Sequence, residues 1–165
     1  MNRQLGGLAH SFRCAVKGIA CCVRSERNLR IHLSIAAGVL LLSVFYDFSA
    51  VQWALLILLF ALVLSAEMMN TAIERAVDLF SPGYHELAGR AKDTAAGAVL
   101  VTAAAAVIVG LLFFLNREGL TNILLFLRAR PLIFCLGIAA YTILAAGFIF
   151  RPWGGAPERE GLWKK

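Results

Sequence analysis

The sequence predicts an all-α fold, a polytopic membrane helix bundle, and three observations carry that prediction. Of 165 residues, 60% are hydrophobic and 16% charged, with a mean hydropathy of +0.76, where soluble domains hold roughly 45–50% apolar and about 25% charged residues. Apolar runs recur at lengths near the roughly 20 residues a helix needs to cross a hydrocarbon core. The Lys and Arg residues behind the net charge of +6 sit in short segments beside those runs. A soluble globular domain and a disordered chain are both excluded. The basic charge reads as membrane-orienting charge, with no nucleic-acid partner. One domain of three or four spans fits this length, too few for a transporter built from internal repeats.

The elements follow in order. Residues 5–24 set Leu5, Leu8, Phe12, Val16, Ile19 and Val23 at helical intervals among Arg3, Arg13, Lys17 and Arg24, the pattern of an amphipathic helix lying at the membrane surface. This opening lacks a continuous apolar stretch, so no cleaved secretory signal is expected and insertion falls to the spans. Residues 31–45 form a first span that is short unless its helix extends back through residues 26–32. After a turn at 46–49, residues 51–66 carry no charge, and no breaker occurs until Ser81-Pro82-Gly83. One helix of about 30 residues, roughly 45 Å long, is predicted there. A third apolar helix covers 91–115, entered through Lys92 and Asp93. Residues 120–127 read as an interfacial helix, and 132–150 as a fourth, C-terminal span. Thirteen of the sixteen Lys and Arg fall in residues 1–30, 75–92 and 151–165, and three in 116–131, which places both termini in the cytoplasm. Trp53, Trp153 and Trp163 read as interfacial anchors.

The chemistry collects at one membrane face. Glu67, Asn70, Glu74 and Asp78 fall at about 0°, 300°, 340° and 20° around a helix turning 100° per residue, so all four share one stripe. Three carboxylates on one stripe repel one another, and Glu67 follows sixteen uncharged residues, where an ionisable group is costly unless paired. A counter-charge or divalent cation is required nearby. Glu26, Lys92 and Asp93 open neighbouring spans on the same side. Carboxylates, an amide and a lysine suit Mg²⁺ with a polyphosphate, although a solvated helix face has the same appearance. Cys14, Cys21, Cys22 and Cys135 have neither metal-ligand spacing nor an oxidising context. His10, His32 and His85 are too scattered for a three-histidine metal site, and His32 reads as an interface packing or hydrogen-bonding residue.

The string Glu67-Met68-Met69-Asn70-Thr71-Ala72-Ile73-Glu74, continued by Asp78, by His85-Glu86-Leu87-Ala88-Gly89-Arg90-Ala91-Lys92-Asp93 and by Ala95-Ala96-Gly97-Ala98-Val99-Leu100, resembles the prokaryotic diacylglycerol kinase family, which holds diacylglycerol kinases and undecaprenol kinases. The resemblance covers about residues 8–115. It implies a catalytic membrane domain over 1–115, with 116–165 as a connection, an added transmembrane helix and a cytoplasmic tail. It implies a homotrimer of three-span protomers in the bacterial inner membrane, passing the γ-phosphate of ATP, with Mg²⁺, to a membrane lipid alcohol at the cytoplasmic surface. By position, Glu67 matches the general base, and Glu26 and Glu74 match carboxylates that hold the nucleotide's metal. Asn70, Lys92 and Asp93 match polar residues around the phosphates, and Tyr84 and His85 match the nucleotide-contact loop. A carboxylate beside a lipid hydroxyl can accept its proton, and phosphoryl transfer needs chiefly positioning and charge neutralisation. No P-loop or protein-kinase motif is present, as this resemblance implies.

The acceptor is read two ways. Residues 26–32 and 95–100 resemble the undecaprenol kinase branch, residues 85–90 the diacylglycerol kinase branch, and Ala96 stands where the latter has a serine; on balance undecaprenol is favoured. The fourth span holds no ionisable residue and reads as an added packing helix. The rival readings are a lipid phosphatase, a non-enzymatic subunit of a membrane complex, and a small channel or carrier. Against the first, the arginines are scattered; against the last, the acidic residues gather at one end rather than along a path.

Overall fold

The computed structural model describes residues 2–81, 83 and 85–153, with the side chains of the first helix from residue 7 onward. Six helices follow one another: α1 (Asn2–Ser25), α2 (Arg27–Ser43), α3 (Ala50–Phe80), α4 (Glu86–Phe114), α5 (Arg117–Ala129) and α6 (Pro131–Phe150). Tyr84 and Trp163 lie outside the described residues. Among those described, α3, α4 and α6 are long and apolar enough to cross a membrane. α2 is a helix of 17 residues, about 25 Å at 1.5 Å per residue, against a hydrocarbon core of about 30 Å. It extends back to Arg27, as the short apolar run over 31–45 requires.

Local chemistry sets the breaks. α1 and α2 are separated by one extended residue, Glu26 (φ −104°, ψ 115°). α3 opens with a capping box: the Ser49 hydroxyl accepts from the Gln52 amide at 3.3 Å, and the Ser49 amide donates to Gln52 Oε1 at 2.9 Å. It runs unbroken for 31 residues and stops before Ser81, whose helical conformation the following Pro82 disfavours. α4 starts at Glu86, more than a turn ahead of the apolar run, because Glu86 sits in the first turn and pairs with Arg90 at 2.7 Å one turn on. α5 is capped by Asn116, whose side chain accepts from the Gly119 amide at 2.8 Å. α6 begins at Pro131, where a missing amide is harmless.

α3 packs along α4, and α2 lies against both α3 and α6. This arrangement gives the bundle two unlike ends. One is aromatic: Tyr46, Phe48, Phe113 and Phe114 meet there with Trp53, and the Tyr46 hydroxyl donates to the Phe114 carbonyl at 2.8 Å. Burial pushes that phenol above its usual value. α5 closes over this end, with Asn122 Nδ2 donating to the Phe45 carbonyl at 3.1 Å and Phe126 against Phe45. The other end is polar, where the C-termini of α1, α3 and α6 meet the N-termini of α2 and α4.

The interior inverts the usual pattern of a soluble core. Arg30, Ser34, Ser43, Glu67, Asn70 and Thr71 are buried, while Leu100, Val107, Ile108, Leu112, Ile143 and Leu144 are exposed. Lipid is as apolar as leucine, so close contact and polar links hold such helices together.

Gly119 shows how tight the aromatic end is, since a Cβ there would lie against the ring of buried Tyr46 at well under van der Waals separation. Gly119→Val is expected to destabilise the chain by about 1–3 kcal/mol. A fall in the thermal unfolding midpoint in detergent, compared with an exposed control such as Gly137→Val, checks this.

Candidate functional site

α3 supplies the axis of the site. At Glu67 its uncharged run ends, and the helical period brings Glu67, Asn70 and Glu74 onto one face. Glu67 is 4% exposed and Asn70 7%. Thr71, buried between them, donates its hydroxyl to the Glu67 backbone carbonyl at 3.0 Å. Glu74 is half-buried and accepts from Asn70 Nδ2 at 3.0 Å. Asn70 Oδ1 is buried without a partner. An amide whose donor is satisfied and whose acceptor is not is an invitation to a donor or a cation. Asp78 ends the stripe exposed, ion-paired with Lys92 of α4 at 2.5 Å.

The junction of α1 and α2 faces this axis. Glu26 accepts from Arg75 at 2.9 Å and from the Ser25 hydroxyl at 3.0 Å, while Arg75 also donates to Ser25 and reaches Cys21 Sγ at 3.8 Å. Glu26, Glu74, His32 and Asn28 are polar side chains in the neighbourhood of the buried Glu67 carboxyl. Among the described residues, no ion pair includes Glu67. Glu26 and Glu74 thus lie in the neighbourhood of Glu67 without closing around one point, and Arg75 is engaged by Glu26.

The residues singled out in the sequence divide into three groups. Glu26, Glu67, Asn70 and Glu74 come together. Lys92 of α4 is paired instead with Asp78, further along α3, and Asp93 and His85 are exposed at the start of α4, outside the hydrogen-bonded cluster. Tyr84 falls outside the described residues. Three contributors are new: Arg75, Asn28 and His32. The charge count on the stripe demanded a counter-ion without naming one, and Arg75, adjacent in sequence to Glu74, was the signal available.

The donors fit a metal of one kind. Among the described residues no three His, Cys, Asp or Glu side chains come together as a closed cage. Mg²⁺ seldom uses such a cage; it takes one or two carboxylates, keeps waters and shares phosphate oxygens. Glu26 and Glu74, with the unpartnered amide oxygen of Asn70, are hard oxygen donors of that type.

The prokaryotic diacylglycerol kinase family model matches residues 13–114. The undecaprenol kinase of Bacillus subtilis is 42% identical over 116 residues, covering 70% of this chain and 94% of that protein. A diacylglycerol kinase of Synechocystis is 46% identical over 101 residues, covering 61% of this chain and 58% of its own length. That of Escherichia coli is 41% identical over 73 residues, with coverages of 44% and 60%. No solved structure gives a significant match.

A buried carboxylate with no ion pair opposes folding. Glu67→Gln keeps the shape and removes the charge, and is expected to stabilise the chain by about 0.5–2 kcal/mol. The check is a thermal unfolding midpoint in detergent at neutral pH that rises above that of the unaltered chain.

Proposed function

The chain belongs to the prokaryotic diacylglycerol kinase family, and we propose that, as a lipid kinase of the membrane, it transfers the γ-phosphate of ATP to a lipid hydroxyl with Glu67 as the general base. The observation that carries this reading is the burial of Glu67 at the boundary between the polar end and the apolar body of the bundle. Glu67 stands on α3 one turn from Val63, and Val63 lines a groove of about 340 Å³ between α2, α3 and α4. Val39, Leu56, Phe60, Ala106 and Phe114 continue that lining, and His32 stands at its polar end. An apolar chain lying in the groove would bring its terminal hydroxyl to the Glu67 carboxylate.

The chemistry follows from the arrangement. The hydroxyl gives its proton to Glu67 as its oxygen bonds to the γ-phosphorus and the bond from that phosphorus to the β,γ-bridging oxygen breaks, releasing ADP, so no alkoxide has to form in advance. Glu26 and Glu74 would hold Mg²⁺ on the nucleotide, and Asn70 would meet that metal or a phosphate oxygen through its free acceptor or its amide. A bound Mg²⁺ supplies charge neutralisation across the phosphates. Lys92, released from Asp78, adds a positive charge, with Asp93, His85 and Tyr84 around the nucleotide. With Glu26 given over to a metal, Arg75 would be free to offer its positive charge to the phosphates.

Undecaprenol is the acceptor we favour. The match to the Bacillus subtilis undecaprenol kinase combines 42% identity with 94% of that protein's length, while the diacylglycerol kinases of Synechocystis and Escherichia coli are matched over 58% and 60% of theirs and that of Haemophilus influenzae over 96% at 31% identity. In the bilayer we take α2, α3, α4 and α6 to cross, with α1 on the cytoplasmic surface and both termini inside, in the bacterial inner membrane. The exposed face of α4 that carries Ala91, Ala98 and Ala105 at seven-residue spacing supports association of three copies through close helix contact.

The test is transfer from labelled ATP with Mg²⁺ to undecaprenol and diacylglycerol, at matched mole fraction in lipid. Undecaprenol phosphate is the expected main product, and Glu67→Gln is expected to lose about 10²–10⁴-fold in rate. Unaltered activity in Glu67→Gln would remove Glu67 from the reaction, and transfer to neither alcohol would remove both acceptors.

A further inference from the structure

The family match ends at residue 114, and α6 lies beyond it. Two hydrogen bonds nevertheless tie α6 to the helix that opens the site. Tyr141 of α6 donates its hydroxyl to the Ser34 carbonyl of α2. Arg30 Nε donates to the Ile149 carbonyl, in the last turn of α6, at 3.1 Å. One turn beyond Ser34 the helices are packed tightly, since a Cβ on Gly38 would stand 2.7 Å from the Tyr141 hydroxyl oxygen.

Arg30 does more than join two helices. It is 7% exposed, and Nη1 donates to the Val23 and Arg24 carbonyls at 3.1 and 2.9 Å. Those are two of the four carbonyls that the end of α1 leaves without an intrahelical partner. The guanidinium thus spans the α1–α2 hinge from Val23 to Arg30, and Glu26 is the extended residue inside that span. Its positive charge faces the C-terminal carbonyls of both α1 and α6, where helix dipoles favour a cation. No ion pair among the described residues includes it. Trp153 completes the end of α6, its indole N–H donating to the Phe148 carbonyl at 3.4 Å.

We propose that α6 is a strut for the α1–α2 hinge and that Arg30, gripping the ends of α1 and α6 together, is a positioning residue that sets where Glu26 presents its carboxylate to the nucleotide. The proposal rests on the reading of Glu26 as a nucleotide-metal carboxylate. A hinge of one residue has two free backbone angles, and the grip removes that freedom before the nucleotide arrives. Releasing the strut therefore weakens nucleotide binding and leaves the lipid groove and Glu67, on the opposite side of α2, as they were. Two routes release it: loss of the guanidinium in Arg30→Ala, and displacement of Tyr141 in Gly38→Val.

The experiment uses the full chain in lipid and compares Arg30→Ala, Arg30→Lys, Gly38→Val, Tyr141→Phe and Glu26→Gln. Two readouts are taken: steady-state kinetics against ATP and against the lipid alcohol, and equilibrium binding of Mn²⁺ with a non-hydrolysable ATP analogue, followed by the electron paramagnetic resonance of free Mn²⁺. Arg30→Ala is expected to raise the KM for ATP about tenfold and to weaken Mn²⁺–nucleotide binding in parallel, with kcat and the lipid KM within about twofold. That ratio corresponds to about 1.4 kcal/mol of binding. Arg30→Lys should fall between, because one ammonium cannot meet three carbonyls in a fixed fork. Gly38→Val and Tyr141→Phe should shift the same two quantities by smaller factors without touching Arg30. Lower thermal stability in these variants, with ATP KM and Mn²⁺–nucleotide binding unchanged, overturns the strut and leaves α6 as a packing helix. Should Arg30→Ala not fold, Gly38→Val and Tyr141→Phe decide on the same readouts. If Glu26→Gln alone leaves Mn²⁺–nucleotide binding intact, the reading of Glu26 is what fails, whatever the strut variants do.

Discussion

Three helix ends meet on one guanidinium, and the polar end of the molecule is organised around that meeting. A helix leaves its last four carbonyls unsatisfied, and near hydrocarbon no water is at hand to answer them. Arg30 answers three such carbonyls, from Val23, Arg24 and Ile149, with donors fixed in one plane. The alternative for each carbonyl is an unmade hydrogen bond in apolar surroundings, which costs far more than a made one contributes in water. Because these carbonyls belong to two helices and the guanidinium to a third, satisfying them also fixes the angle between α1 and α2 and the height of α6 against both.

The cohesion of the remaining bundle has the same character. Ser34, Ser43 and Thr71 turn their hydroxyls onto carbonyls one turn back in their own helices, which makes them small and apolar toward their neighbours. Tyr46 and Tyr141 instead reach across to carbonyls of other helices. Leu29 and Leu56 are buried, but most leucines of the chain face outward while Arg30, Glu67, Asn70 and Thr71 lie inside, so stability and site share the same residues. Glu67 belongs to that interior but works against it, as a carboxylate suited to accepting a proton and poorly suited to being buried.

Much of this was legible in the sequence because membranes simplify the problem. Charge-free length announced α3, α4 and α6, and the angular positions of Glu67, Asn70 and Glu74 placed them on one face before any packing was known. The exact breaks were less legible: α4 starts at Glu86 because of a local pair with Arg90, a contribution that hydropathy ignores. Hydropathy likewise left α5 as an apolar patch over 120–127, whereas its Asn116 cap and its contact with Tyr46 extend it to residues 117–129. The engagement of Glu26 by Arg75, and of Lys92 by Asp78, depends on distances between helices, which no spacing along one helix encodes. Arg30 was the hardest to read. A single arginine near a span looks like topological charge, and its three carbonyl partners lie 6, 7 and 119 residues away.

The aromatic end acts as a depth marker for the polar one. Trp53 and the surrounding phenylalanines have the amphipathic, ring-rich character that settles at a membrane–water boundary. Fourteen residues of unbroken helix separate Trp53 from Glu67, about 21 Å along the axis at 1.5 Å per residue. A typical hydrocarbon core is about 30 Å thick. With the aromatic belt at one boundary, the rigidity of α3 would hold the carboxylate below the opposite one, and on the proposed role of Glu67 the bilayer would have to thin locally or the helix shift for phosphate to reach it. Membrane thickness thereby becomes a variable of the catalyst itself: shorter lipid chains would raise Glu67 toward water, and longer ones would sink it.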